Sequence, residues 1–209
     1  MTVTLTPPLN GVVLRGIHWD TFQALVHDLE SQPSKRLTYD NGVLEIRMPL
    51  PPHERYKKWL GRLVELVTEE LEIEISSLGS CTWSRQDLQK GIEPDECYYI
   101  QNEAAVRGKD VIDLTIDPPP DLAIEVDKTS SSIDRLGIYA ALGVPEVWRY
   151  DLQSVTLLVL RNGTYQTHDR SLALPIITAE TLQTLLEQAA KMGETSWVKQ
   201  VRQWVREQR

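Results

Sequence analysis

The stretch PPPDLAIEVDKTSSSIDRLGIYAALGVPEVWRYD, residues 118–151, decides how the chain is to be folded. Side chains on a strand alternate between faces, so Asp121, Ala123, Glu125 and Asp127 share one side and Leu122, Ile124 and Val126 the other. Ser130, Ser131 and Ser132 then offer caps for a helix, with Ser131 and Asp134 in the spacing of a capping box, and Gly143 and Pro145 mark its end. EVWRYD follows as a second strand. Strand, helix and strand in this order predict an α/β fold.

The acidic side of the first strand needs an explanation. A carboxylate that loses hydration must gain hydrogen bonds, a cation or a proton. One divalent ion would neutralise much of the repulsion, and magnesium takes one or two carboxylates together with water and substrate phosphate. Periodicity alone equally allows the acidic side to face solvent on a one-sided sheet. Asp95, which follows Pro94 at the start of another strand, PDECYYI, favours the metal.

Moving outward, Phe22, Leu25, Val26 and Leu29 recur at helical spacing over residues 20–29. RLTYD and VLEIRM flank Asn41 and Gly42, the pair that best supplies a two-residue hairpin turn. From residue 54 to about 72, Leu60, Leu63, Val64, Val67 and Leu71 line one face of a long helix. Arg55, Lys58 and Arg62 lie along another face, as a solvated surface or as contacts to nucleic-acid phosphates. EISSL and CTWSR read as strands, QDLQKG as a turn, and residues 101–117 as a connection with one helical turn. SVTLLVL and a weaker strand after RNG lead to helices over residues 179–192 and 197–207. Trp197, Val201, Trp204 and Val205 make an apolar stripe on the last helix, a surface on which copies of the chain could assemble.

A length of 209 residues suits one domain with a single well-buried core. No apolar run approaches the roughly 18 residues of a membrane span, and the opening residues lack the pattern of a signal peptide, so a cytoplasmic protein is expected. Cys81 and Cys97 form no CxxC, and the histidines are scattered, which leaves two reduced thiols and no zinc site. The net charge of −8 argues against a general nucleic-acid coat protein, since such binding rests on Lys and Arg neutralising phosphates. Serine-hydrolase, phosphate-loop, zinc-protease and dinucleotide-binding motifs are all missing from the sequence.

PDECYYI followed by PDLAIEVDKTSSSIDRLGIYAALGVPEVWRYD resembles a large family of restriction-endonuclease-like proteins in the PD-(D/E)XK nuclease superfamily. LTYDNGVLEIRMPLPPH resembles that family's hairpin and its approach to the long helix. The resemblance covers residues 36–151 and implies a mixed central β-sheet flanked by helices, with an N-terminal hairpin and C-terminal helices. It also implies an endonuclease that hydrolyses phosphodiester bonds in nucleic acid, DNA above all, with Mg2+ as cofactor and Mn2+ as a substitute.

By position, Asp95 and Glu125 would hold the metal, with the main-chain carbonyl of Val126 as a further ligand. The superfamily's lysine, which orients or deprotonates the attacking water, would stand two residues after Glu125, where this chain has Asp127. Lys128 is one position further on, and Arg135 occupies a helical position where this family typically has lysine. Asp127 would then hold a second metal or the water. Arginine stays protonated, so Arg135 would steady a phosphate but not accept a proton. His53 resembles a family position, where it would contact phosphate or cap the helix. A homodimer would suit an enzyme that cuts two strands. The alternative is a protein that keeps the fold, has lost cleavage, and serves in binding, regulation or assembly.

Overall fold

The computed structural model describes residues 11–29, 35–127, 131 and 133–209. In chain order the elements are β1 (Gly11–Arg15), α1 (Trp19–Leu29), β2 (Arg36–Asp40), β3 (Val43–Arg47), α2 (Pro51–Leu71), β4 (Ser76–Ser77), β5 (Trp83–Arg85), β6 (Lys90–Ile92) and β7 (Glu96–Tyr99). There follow α3 (Glu103–Val106), β8 (Leu122–Val126), α4 (Arg135–Leu142), β9 (Glu146–Tyr150), β10 (Val155–Arg161), β11 (Thr164–His168), α5 (Ala179–Ala189) and α6 (Glu194–Glu207).

The expected mixed sheet has the strand order β11-β10-β9-β8-β7-β4, in which β8 and β9 run parallel and their neighbours antiparallel. The expected hairpin is present too, with Asn41 and Gly42 both at positive φ. It belongs, however, to a separate antiparallel sheet ordered β1-β3-β2-β6-β5. Two of that sheet's strands escape a reading of the sequence. β1 lies in the Pro-rich opening, and β6 is a three-residue strand at the end of the segment read as a turn.

α2 begins at Pro51, three residues before the apolar pattern does, because proline at the first helical position sacrifices no hydrogen bond. Together with α5 and α6 it covers the greasy face of the mixed sheet, where Leu122, Ile124, Val126 and Trp148 are buried. The opposite face, carrying Ala123, Val147, Cys97 and Tyr99, packs against α4 and the second sheet. The acidic side of β8 therefore faces the interior: Glu125 is 5% exposed and Asp95 fully buried. The solvent-facing alternative is excluded for these two residues.

The cap of α4 is Asp134, whose carboxylate accepts from the Gly137 amide, and Gly143 ends the helix in the left-handed region. Ser131 instead reaches across to Glu45 on β3, at 2.6 Å. Ser130 and Ser132 lie outside the described residues.

The stripe on α6 is covered within the chain. Trp197, Val201 and Val205 join the core beneath α2 and α5, and Arg202 and Arg206 bridge to Glu69 and Glu70 on α2 at 2.6–2.7 Å. Trp204, the fourth residue of the stripe, stays half-buried, so the surface the stripe leaves for assembly is reduced to that residue. No helix of the described residues is long and apolar enough to cross a membrane. Cys81 and Cys97 are both free, and Cys97 accepts a hydrogen bond from the Trp83 indole.

Asp121, the first carboxylate of the acidic side, is a clamp. It accepts from the Ile100 amide at 2.7 Å, the Asn102 amide at 2.9 Å and the Asn102 side chain at 2.6 Å. Asp121→Ala leaves those donors without an acceptor in a buried setting. The expected loss is at least about 1–3 kcal/mol of stability, read by urea unfolding, with no change in metal affinity.

Candidate functional site

Register builds the site. β7 and β8 pair antiparallel with Glu96 opposite Ile124 and Cys97 opposite Ala123, so the next step along the ladder sets Asp95 opposite Glu125. The Asp95 amide donates to the Ile124 carbonyl at 3.1 Å and fixes that step. Two carboxylates thirty residues apart in sequence thereby become cross-strand neighbours on one face.

Each acid has one oxygen in hydrogen bonds and one with only an arginine at ion-pair distance. Asp95 Oδ2 accepts from the Val126 amide at 2.7 Å and meets His53 Nε2 at 2.9 Å, whereas Asp95 Oδ1 is buried with no hydrogen-bond partner. Glu125 Oε1 accepts from the Arg135 guanidinium and the Tyr139 hydroxyl, whereas Glu125 Oε2 is buried and likewise unpartnered.

The roof comes from the second sheet. Arg36, Thr38, Glu45 and Arg47 alternate with the apolar residues of β2 and β3 and point at the mixed sheet. Arg36 Nε lies 4.0 Å from Asp95 Oδ1. Arg47 donates to Asp127 at 3.0 Å and sits 3.7 Å from both Glu45 and Glu125 Oε2. Arg135 also donates to the Thr38 hydroxyl and to the Glu93 carbonyl, the latter at 3.0 Å. Reading the sequence missed Arg36, Glu45, Arg47 and Tyr139. A signal was present for the first three, since each hairpin strand alternates apolar residues with charged or hydroxyl ones.

The electrostatics push the two acids apart. Burial works to raise the Asp95 carboxyl, but the hydrogen bond and charge of His53, the Val126 amide and Arg47 outweigh it and hold the group below the usual carboxylate range. Burial lifts the Glu125 carboxyl above that range; Arg135 pulls it back and the charge of Asp95 adds to the lift. Burial opposes the charge on Arg135, but the Glu125 carboxylate beside it more than compensates and raises its pKa further. Arg135 is a permanent cation.

Of the remaining sequence candidates, Asp127 is half-buried and bonded to Arg47. His53 is half-buried near the start of α2, where its ring meets Asp95. Arg55 and Lys58 are on the same two turns, while Arg62 bridges to Glu194 on α6 at 2.6 Å. Lys128 lies outside the described residues. Among the described residues no three His, Cys, Asp or Glu side chains converge as metal ligands. Any ion here would draw on the carboxylate pair, main-chain oxygen and water.

Residues 19–190 match the family described as "Uma2: Putative restriction endonuclease", which takes in both sheets from α1 onward and every residue of the site. The chain belongs to the Uma2 family. Membership agrees with the resemblance read from residues 36–151 and supports a nuclease. Among solved structures, the Uma2 chain is similar to one from Anabaena variabilis described as a "putative nuclease". The two share 13% identity over 71% of this chain and 89% of that one, with a TM-score of 0.49. None of the curated proteins compared with it matches.

Proposed function

We propose that this Uma2 protein is a metal-dependent endonuclease that hydrolyses phosphodiester bonds in DNA, with Asp95, Glu125 and the Val126 carbonyl as the ligands of Mg2+ or Mn2+. One observation carries the reading. The cleft leaves two buried carboxylate oxygens without a hydrogen-bond donor, Asp95 Oδ1 and Glu125 Oε2, and three buried guanidinium nitrogens without an acceptor, Arg36 Nε, Arg47 Nε and Arg135 Nε. Arg36 comes no nearer than 4.0 Å to the first of those oxygens and Arg47 no nearer than 3.7 Å to the second. Buried polar atoms are rarely left unpaired, so each such group needs a reason. A cation satisfies the oxygens and a phosphate satisfies the nitrogens. A hard divalent ion held by one or two carboxylates, its remaining positions taken by water and phosphate, fits this donor set.

When bound, such an ion polarises the phosphate and supplies a nucleophile from water at neutral pH. The chain's own residues have separate tasks. His53 and the Val126 amide fix Asp95 with Oδ1 turned free, and Arg135 and Tyr139 fix Glu125 with Oε2 turned free. Arg36 and Arg47 present positive charge from the roof, where it would offset charge building up on the phosphate.

Manganese titrated calorimetrically into the wild type and Asp95→Asn tests the assignment without a substrate. Binding in the wild type and its loss in a folded variant are expected; equal affinity in both would remove Asp95 from the site. A second reading, a protein of this fold that binds nucleic acid without cutting it, draws on Arg135, which cannot accept a proton. Metal binding with no cleavage of any nucleic acid supplied would favour it.

Arg55 and Lys58 are exposed on α2 beyond His53, on a different face of the helix from it, so DNA seated over Asp95 would meet them only by running on along α2. Changing both to Ala is expected to weaken DNA binding and to flatten the dependence of log K on log salt by up to about 1.8, about 0.9 for each phosphate no longer neutralised. A salt slope equal to that of the wild type would take this surface out of the interface.

A further inference from the structure

Glu125 also forms the inner end of a cavity of about 380 Å3 bounded by β8, β9 and α4. Val147, Ile133 and Leu136 give it apolar walls, Arg135 and Tyr139 close it beside the carboxylate, and Asp127, Ser131 and Asp134 complete the lining, Asp127 already bonded to Arg47 and Asp134 to the Gly137 amide. Arg149 stands at the rim. In the parallel register of β8 and β9 Arg149 is the partner of Glu125, about 4.8 Å away across the ladder. It is exposed, and among the described residues its charge is felt by Asp151, two positions further along the chain, without a salt bridge forming.

Volume, walls and rim suit a nucleotide. The volume falls within the range of about 300–1,000 Å3 typical of small-molecule sites. A duplex, whose major groove alone is about 12 Å wide, does not enter a space of this size. Apolar walls accept the faces of a base, and a guanidinium at the rim suits a phosphate. Whatever fills the cavity touches Glu125 and so lies next to the phosphate that the carboxylate pair would serve.

We propose that this cavity receives the nucleoside flanking the scissile phosphodiester, in unpaired form, with Arg149 on its phosphate; the inference rests on the nuclease reading of Asp95 and Glu125. The preferred substrate is then single-stranded or locally unpaired nucleic acid, because a base must leave its stack to enter, and that costs least where it is already unpaired.

The test is made in EDTA and reads binding alone. dAMP is titrated into the wild type, Arg149→Ala and Leu136→Trp, followed by saturation-transfer NMR, and a single-stranded oligonucleotide is compared with its duplex by fluorescence anisotropy. Saturable binding of dAMP is expected in the wild type, with a loss of about tenfold or more in each variant and tighter binding of the single strand. Arg149 is exposed, so its variant keeps the comparison sound even if Leu136→Trp fails to fold. No binding of dAMP, wild-type affinity in Arg149→Ala, or equal affinity for single strand and duplex would each overturn the proposal. A failed manganese titration strikes the nuclease reading, and a failed dAMP titration strikes the cavity alone.

Discussion

Glu125→Gln is expected to destabilise the protein by roughly 3–5 kcal/mol, the cost of breaking a buried ion pair from one side. A carboxylate whose only role is to bind metal could lose its charge without harm to the fold, but Glu125 has a second role. Glu125 is the counter-charge of Arg135, which is only 7% exposed and is held between the two sheets by Thr38 and Glu93 as well. Removing the negative charge leaves a guanidinium in the interior with no carboxylate in contact. For a chain of this size the loss corresponds to a fall in melting temperature of about 6–20 °C. Glu125→Gln paired with Arg135→Met should recover much of it, because replacing both members of a buried pair by groups of similar volume is often neutral. Thermal unfolding of the two single variants and the double variant checks this. Additive losses would mean that the pair contributes nothing as a pair.

The same residues show what the sequence discloses and what it withholds. Alternation in LAIEV correctly separates the greasy face of β8 from its acidic face, and Pro94-Asp95 correctly marks the entry to a second strand, with the acid one residue before it. Both are local patterns with a period of two. What covers the acidic face is not local. It is β2 and β3, some eighty residues earlier, and their choice to form a separate sheet follows from pairing with β1 and β6, neither of which has a clear pattern of its own. Arg36 and Arg47 therefore look like ordinary hairpin residues until the two sheets are laid together. The C-terminal stripe makes the same point in reverse. Its amphipathic period correctly says that Trp197, Val201 and Val205 will be buried, but not that α2 will bury them. Periodicity gives a face, and tertiary contact gives its partner.

Arg135→Lys should raise any cleavage rate, on the order of a hundredfold, the lower end of what a well-placed general acid or base contributes. Arginine at this point carries a charge that no neighbour can remove, and contact with Glu125 raises its pKa further. Lysine retains a cation for Glu125 yet titrates when buried, so it can orient the attacking water and release a proton. Placing the lysine at the other candidate position should fail. Asp127→Lys sets a cation against Arg47, which now donates to Asp127 at 3.0 Å and links β3 to the end of β8. That variant is expected to lose stability without gaining activity. Single-turnover cleavage of a labelled oligonucleotide with Mn2+, across a pH series, distinguishes the two substitutions. A new rising limb with pH in Arg135→Lys would identify the position as the site of proton transfer. A rate at or below that of the wild type, in a folded and metal-binding variant, would mean that Arg135 serves Glu125 alone and that the chemistry needs no base from α4.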